Sequence, residues 1–381
     1  MRALDDIHEQ AVRRGASDVH IEPTLTGGRV RQRIDGILSE MTTLAPEVYV
    51  QIVSRVKLLA GMDIADRRQP QDGRYDIERA NRIIDARVSS TPTLMGEKLA
   101  IRLLDHRMQT PAIESLGMPD TLLAGFRRAV HAPHGFIVVC GPTGSGKTTT
   151  LYAAMGERND PSQNLCSVED PVEIRLPGVA QVQVNARAGV TFASALRAFL
   201  RQDPNVIMVG EMRDQETAAV AASASLSGQL LLATLHSNDA PTAIDRLREL
   251  GVASHTISAG LTAVVAQRLL RRLCEVCRIS FQVDAQTAQE FGACEGSRAY
   301  RAAACTACAG SGYAGRTAIF EWIIIDDAMR RCIARGESGV GVAEIARGSC
   351  YEPMLRDGVR KVLAGKTTFE ELRRVLAGSA R

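Results

Sequence analysis

Aromatic residues are scarce in this chain of 381: eight Phe, six Tyr and one Trp, 4% in all. That share is ordinary for an α/β protein built on Val, Ile, Leu and Ala, and it leaves the basic stretch QRLLRRLC (267–274) without interleaved aromatics, which makes it weak evidence for strand binding. No hydrophobic run approaches the length that spans a bilayer, which excludes a transmembrane helix. The first twenty residues, MRALDDIHEQAVRRGASDVH, have no apolar centre and carry Asp5, Asp6 and Glu9 early. That excludes a signal peptide, and a cytoplasmic chain is expected. An excess of one charge is missing too, since the net value of +3 is too small to argue for nucleic acid by itself. In a reducing compartment the nine Cys read as metal ligands and core thiols, not disulfides.

What is present is enough apolar material, 45% of residues, for one or two cores, and the length suggests two domains. The first hundred residues read as a small mixed domain. SDVHIEP (17–23) and GRVRQRIDGIL (28–38) alternate like paired strands, and 47–63 has helical spacing with a stop at Gly61. Two more strand-like runs follow at 82–89 and 98–104. QDGR (71–74) and RVSSTPTLMGEK (87–98) read as loops dense in Arg, Gly and Pro. The expected organisation is an α/β domain over 1–108, a Pro-interrupted linker over 109–119 and a second domain over 120–381. From Gly135 the pattern becomes strand, loop, helix, repeated, with strands at 135–140, 164–168, 206–209 and 229–235 and helices at 192–200 and 216–225. That predicts a mostly parallel sheet covered on both faces. Beyond Gln267 cysteine pairs and glycines take over. A zinc subdomain is expected over 268–317, then a helical C-terminal region over 318–381, helical from about Asp326.

The second domain is organised around GPTGSGKTT, residues 141–149. It follows the apolar run GFIVVC and precedes a helical segment, the context required by the P-loop pattern G-x-x-x-x-G-K-[ST]. Gly141, Gly144 and Gly146 let the backbone of the loop, which also holds Pro142, Thr143 and Ser145, bring successive N–H groups round a phosphate. The helix start adds unpaired donors. Lys147 is placed to reach the β and γ phosphates, the Thr148 hydroxyl to ligate Mg²⁺, and Thr149 continues the helix. A nucleoside triphosphate is the expected ligand.

Hydrolysis further requires a group that orients water and positive charge on the transition state. VIMVGE (206–211) is an apolar strand ending in Glu211, placed to polarise the water; Gly210 stands where a P-loop ATPase often carries a metal-linked Asp. SVEDPVE (167–173) ends another strand and offers Glu169, Asp170 and Glu173 for the metal, or else solvated loop charge. LLLATLHSNDA (230–240) brings His236, either a γ-phosphate donor or an ordinary surface histidine. Arg74, Arg87, Arg197 and Arg201 are candidate phosphate-reaching arginines that composition alone does not rank. Cys274-x-x-Cys277 and Cys305-x-x-Cys308 are separated by 27 residues, wider than the commonest zinc pattern. They fit a tetrahedral zinc site, against a redox dithiol or free thiols. Cys294 is a spare; Cys140, Cys166, Cys332 and Cys350 are expected as core thiols.

GPTGSGKTTTLYAA, SVEDPVE, LRQDPNVIMVGEMRD, LLLATLHSNDAP and AQRLLRRLC, in that order, resemble the ATPases of type II secretion and type IV pilus assembly. ASDVHIEP, RQRIDGIL, LLAGMDIADRRQPQDGR and RVSSTPTLMGEKLAIRLLD resemble the domain that precedes the motor in that family. The resemblance implies a RecA-like ATP-hydrolysing domain, a hexamer, and an inner-membrane platform protein as partner, with the chain peripheral to the inner membrane. It implies an Asp box with Glu169 and Asp170 near the metal, Glu211 as catalytic acid and His236 in a His box. It also makes Arg74 and Arg87 the N-domain arginines that reach ATP, with Arg197 and Arg201 in an arginine-bearing segment. The cysteines match the tetracysteine zinc module of the assembly branch. The expected mechanism has ATP binding clamp the N-terminal domain and hydrolysis release it. One departure is that members commonly carry a further N-terminal docking domain, whereas this chain begins almost at ASDVH, as a short or trimmed form would. The competing functions are a nucleic-acid translocating or conjugation ATPase, for which QRLLRRLC supplies basic residues, and an ATP-binding regulatory subunit without turnover.

Overall fold

Short runs of β-branched and aliphatic residues make the buried central strands of one sheet, and runs that alternate polar and apolar residues make the half-buried strands of the other. The computed structural model describes residues 2–79, 82–105, 110–347 and 351–377. The chain divides into two compact units, 1–109 and 110–381.

The first unit begins with α1 (Arg2–Arg13), then β1 (Asp18–Thr24), β2 (Gly27–Ile34), β3 (Ile37–Leu44), α2 (Pro46–Leu59), β4 (Gln71–Arg79), β5 (Arg82–Thr93) and β6 (Gly96–Asp105). Its six strands form an antiparallel sheet in the order β3-β2-β1-β6-β5-β4. Leu4 and Ile7 of α1 and Ile52 and Val56 of α2 share one core with Val19, Ile21, Val88, Leu99 and Ile101 of the sheet. Three sequence expectations are corrected here. The single strand over 28–38 is two strands, because Asp35 (φ 49°) and Gly36 (φ 84°) make a tight hairpin turn. QDGR, read as a loop, opens β4. A side chain at Gly73 would overlap the Ala60 carbonyl, so glycine is required where the strand passes the end of α2. RVSSTPTLMGEK is mostly strand as well. Pro92 is tolerated because β5 there runs past the end of β4 and has only β6 as neighbour.

The second unit runs α3 (Asp120–Val130), β7 (Gly135–Cys140), α4 (Lys147–Arg158), β8 (Leu165–Glu169), β9 (Val179–Gln183), α5 (Phe192–Phe199), β10 (Val206–Val209), α6 (Gln215–Leu226), β11 (Leu230–Leu235), α7 (Ala240–Glu249), α8 (Ser254–Gly260) and β12 (Leu261–Leu273). There follow β13 (Ile279–Gln282), α9 (Ala285–Phe291), β14 (Arg298–Arg301), β15 (Tyr313–Ile324), α10 (Asp327–Ala334), α11 (Gly339–Ala346), β16 (Tyr351–Glu352), α12 (Met354–Leu363) and α13 (Phe369–Leu376). Eight strands form one sheet in the order β16-β15-β12-β7-β11-β10-β8-β9. The six from β12 to β9 are parallel; β15 and β16 are antiparallel additions. Alternate residues of β7 enter separate cores on the two faces, Phe136 and Val138 in one, Ile137 and Val139 in the other.

Two further expectations change. The sheet does not end near Gln267, since β12 and β15 are long strands that flank the cysteine-bearing segment and pair with each other. The segment expected to be helical from 318 begins as strand through Ile324 and returns to strand in β16; helices occupy the rest. Cys140, Cys166 and Cys332 are buried and Cys294 is exposed. Cys350 lies outside the described residues.

Candidate active site

Parallel pairing gathers the ends of four strands at one sheet edge. Cys140 at the end of β7 lies opposite Leu235 of β11, Ala233 of β11 opposite Val209 of β10, and Val209 opposite Val168 of β8. The loops starting at Gly141, Asp170, Gly210 and His236 therefore leave the same edge, where open α/β sheets bind ligands.

The loop 141–146 is pinched at its base. Gly141 adopts φ 147°, and a side chain there would overlap the Gln267 carbonyl; Gly146 adopts φ 87° as the N-cap of α4. Lys147 is buried, 8% exposed, and its ammonium donates back to the carbonyls of Gly141 (2.9 Å) and Pro142 (3.1 Å). Among the described residues no carboxylate forms an ion pair with it. Burial lowers its pKa, partly offset by Cys140 and by the carboxylates of Glu211 and Glu173. A buried cation held only by its own loop's carbonyls suits an incoming polyanion. The Ser145 hydroxyl is also buried without a partner. Thr148 is half-buried at the helix start, while Pro142, Thr143, Gly144 and Thr149 are exposed. This loop fits a phosphate chain and a hydroxyl-ligated Mg²⁺.

Glu211 follows the fully buried strand β10, and backbone pairing fixes it. Gly210 N–H donates to the Val168 carbonyl (2.8 Å), Thr234 Oγ1 donates to the Gly210 carbonyl (2.5 Å), and Met212 N–H donates to the Thr234 carbonyl (3.1 Å). A Cβ on Gly210 would lie 3.2 Å from the Val168 carbonyl oxygen, a tight approach that glycine relieves at this position. The Glu211 carboxylate, 14% exposed, meets Arg213 at 2.5 Å and His236 at 3.5 Å. Arg213 was not anticipated; its signal was only its place two residues after Glu211 in the same loop.

Glu169 reaches the same edge with its carboxylate already engaged. It accepts from Tyr152 Oη of α4, from Ser167 Oγ at 2.6 Å and from Gln181 Nε2 at 3.1 Å. The Tyr152 oxygen in turn accepts from the backbone of Glu173 (3.2 Å) and Ile174 (3.3 Å), tying the acidic loop to the P-loop helix. Burial raises the Tyr152 pKa, which keeps the hydroxyl a donor. Asp170 is exposed. Of the acids offered by SVEDPVE, it is Glu173 whose charge reaches Lys147.

The arginines are dispersed. Arg74 and Arg87 sit opposite each other on β4 and β5 of the first unit, with Arg87 3.4 Å from Asp85. Arg197 pairs with Glu216 at 2.8 Å, and Arg201 donates to the Arg197 carbonyl at 2.8 Å. Among the described residues neither Arg197 nor Arg201 bonds to the loop 141–146.

The two cysteine pairs, remote in sequence, come together. All four Sγ atoms lie within 4.8 Å of one another, with Cys274–Cys305 and Cys277–Cys308 at 3.8 Å and Cys305–Cys308 at 3.6 Å. Zinc–sulfur bonds of about 2.3 Å in a tetrahedron require sulfur–sulfur edges of about 3.8 Å, so the donor set fits. The Gly312 N–H donates to Cys308 Sγ at 3.2 Å, as at a thiolate.

The family described as "Type II/IV secretion system protein" matches residues 1–374. Type II secretion system protein HxcR of Pseudomonas aeruginosa is 46% identical over 375 residues, covering 98% of this chain and 77% of that one. Type IV pilus assembly ATPase PilB of Thermus thermophilus is 44% identical over 373 residues, covering 97% of this chain and 42% of the other. Among solved structures, the ATPase DotB of Legionella pneumophila superposes with TM-score 0.72 at 19% identity, covering 98% of this chain and 95% of that chain. That likeness is one of fold, and it bears out the α/β P-loop class expected from the sequence.

Proposed function

We propose that this chain, which belongs to the type II/IV secretion system protein family, hydrolyses ATP to ADP and phosphate and thereby drives assembly of a type IV pilus or a type II secretion pseudopilus. The observation that carries this reading is the Lys147 ammonium, buried, bonded among the described residues only to its own loop, and lying in the field of Glu211 and Glu173. Such a site holds a triphosphate and keeps an acid beside it. Glu211, oriented by Arg213 and His236, polarises the attacking water, and His236 stands where loss of the γ phosphate is sensed. The Thr148 hydroxyl would hold Mg²⁺, which would supply charge neutralisation on the phosphates. Glu169 orders the acidic loop through Tyr152, and Glu169 and Asp170, with Glu173 in the same loop, are the acids that would serve a bound metal. Arg74, Arg87, Arg197 and Arg201 supply transition-state charge in a homo-oligomer, a hexamer. Zinc held by Cys274, Cys277, Cys305 and Cys308 is structural. The residues 1–108, 109–119 and 120–381 act as front domain, linker and motor. The partner is an inner-membrane platform protein, and the chain works in the cytoplasm at that membrane. No helix among the described residues is long and apolar enough to cross a membrane.

Phosphate release with and without Mg²⁺ tests the proposal. Turnover that requires Mg²⁺ and vanishes in Lys147→Ala is the expected result. No release by the intact chain, alone or with anionic membranes and a platform protein, removes the hydrolytic reading. Release that depends on added DNA or RNA replaces the cargo with nucleic acid.

A further inference from the structure

Gln267 lies in the centre of the sheet, 3% exposed, and belongs to none of the groups assigned above. The parallel register sets Ala266 of β12 against Cys140 of β7, so the next residue of β12 stands level with the first glycine of the loop. Strand alternation turns the Gln267 side chain to the face that carries α4 and Arg268 to the other. Gln267 meets the P-loop at three points. Its carbonyl oxygen occupies the space a side chain on Gly141 would need. Its Nε2 would lie 2.8 Å from a Cβ built on Gly146. Its Oε1 accepts a hydrogen bond of 2.6 Å from Oγ1 of Thr150, a fully buried hydroxyl in the first turn of α4. The Thr150 N–H donates to the Gly146 carbonyl at 3.1 Å, which links the third point to the second. One residue thus touches the first glycine, the last glycine and the helix that follows.

Gln267 is itself well anchored. β12 is paired on both sides, with β7 and with β15, where Gln267 lies opposite Phe320. The loop begins and ends on glycines, which bring no side chain to brace its base, so its width there is set by what the glycines lean against. The converging N–H groups bind phosphate strongly only when that width is right.

We propose that Gln267 is a positioning residue for the P-loop: through Gly141, Gly146 and Thr150 it holds the loop at the aperture that fits a phosphate chain. It touches no reacting atom and acts only through the loop. The inference rests on the reading that this loop takes ATP, and it adds a residue that the motif does not contain.

The test is the affinity of full-length chain for a fluorescent ATP analogue with Mg²⁺, together with the melting temperature of each variant without nucleotide. Gln267→Met keeps the volume and removes the acceptor; Thr150→Val removes the donor at nearly constant shape; Thr150→Ser keeps the donor. Both Gln267→Met and Thr150→Val are expected to bind the analogue about tenfold more weakly. The double variant should be no weaker than either single one, and Thr150→Ser should bind like the parent. Folded Gln267→Met and Thr150→Val that bind as tightly as the parent overturn the proposal. Losses that multiply in the double variant overturn it too, because the two residues would then act separately. If the parent itself fails to bind the analogue, the ATP reading falls instead.

Discussion

At the scale of single residues, two carboxyls stand in opposite situations. Glu211 is partly open, paired with Arg213 and His236, and sits in the field of Lys147. Its replacement by Gln keeps the shape and removes the base, so turnover should fall about 10²- to 10⁴-fold while analogue affinity stays within about twofold. Undiminished phosphate release would take Glu211 out of the mechanism. Glu321 is closed in between β15, α7 and α12, where it accepts from the N–H groups of Ala240 (2.7 Å) and Met354 (3.4 Å). Burial nonetheless pushes its pKa up to about 7 from an ordinary 4.5. A raised carboxyl pKa stabilises the fold fully below the unfolded value, and the stabilisation is lost as pH climbs through the folded one. Stability should therefore drop between pH 4.5 and about 7, by about 3 kcal/mol from this group alone. In urea titrations at pH 5 and pH 7.5, Glu321→Gln should lose that part of the difference. An identical pH dependence in parent and variant would show the carboxyl to be well solvated.

At the scale of elements, the cysteine segment is a short excursion between two long paired strands. β12 ends one residue before Cys274, β15 begins at Tyr313, five residues after Cys308, and α9 with the β13–β14 pair lies between. Val283, Phe291 and Ala299 anchor the segment in the core of the second unit, but the turns that carry the four cysteines have few apolar contacts of their own, and metal is expected to hold them together. Metal analysis should find about one zinc per chain, and a strong chelator should expose 274–312 to proteolysis while β7, β10 and β11 stay protected. A metal-free chain with the segment equally protected would refute the zinc. The neighbouring strands also show what a sequence makes legible. β7 and β10 were readable end to end because a strand buried on both faces must be a continuous apolar run. β4 was not, because an edge strand needs partners on one side only, and its inward positions are Gly73, Tyr75 and Ile77. Glycine hid the alternation. Its reason, the Ala60 carbonyl against it, lies outside the local sequence. Gly73→Ala should accordingly destabilise the first unit by about 1–3 kcal/mol in urea unfolding, and a neutral effect would mean that α2 can yield.

At the scale of the whole molecule, the P-loop, Glu211 and the cysteine pairs were legible because each is a short stretch whose chemistry follows from its own spacing. Gln267 and Thr150 were not, because what joins them is the register of β12 on β7 across more than a hundred residues. The same limit applies to the arginines, because no short stretch of sequence says which of them faces a phosphate. Among the described residues of the second unit Arg213 is neutralised by Glu211, Arg197 by Glu216, and Arg201 is held by a carbonyl with no carboxylate paired to it. Hydrolysis needs positive charge beyond Lys147, and a ring of identical subunits supplies it if Arg201 of one copy serves the loop of the next. Arg201→Ala and Lys147→Ala should each be inactive alone. Mixed one to one and allowed to exchange, they should regain activity, because about a quarter of the interfaces then pair an intact Lys147 with an intact Arg201. Dilution should abolish the regained activity as the assembly, followed by light scattering, dissociates. A mixture no more active than its two components would place Arg201 in its own subunit's site or outside catalysis altogether.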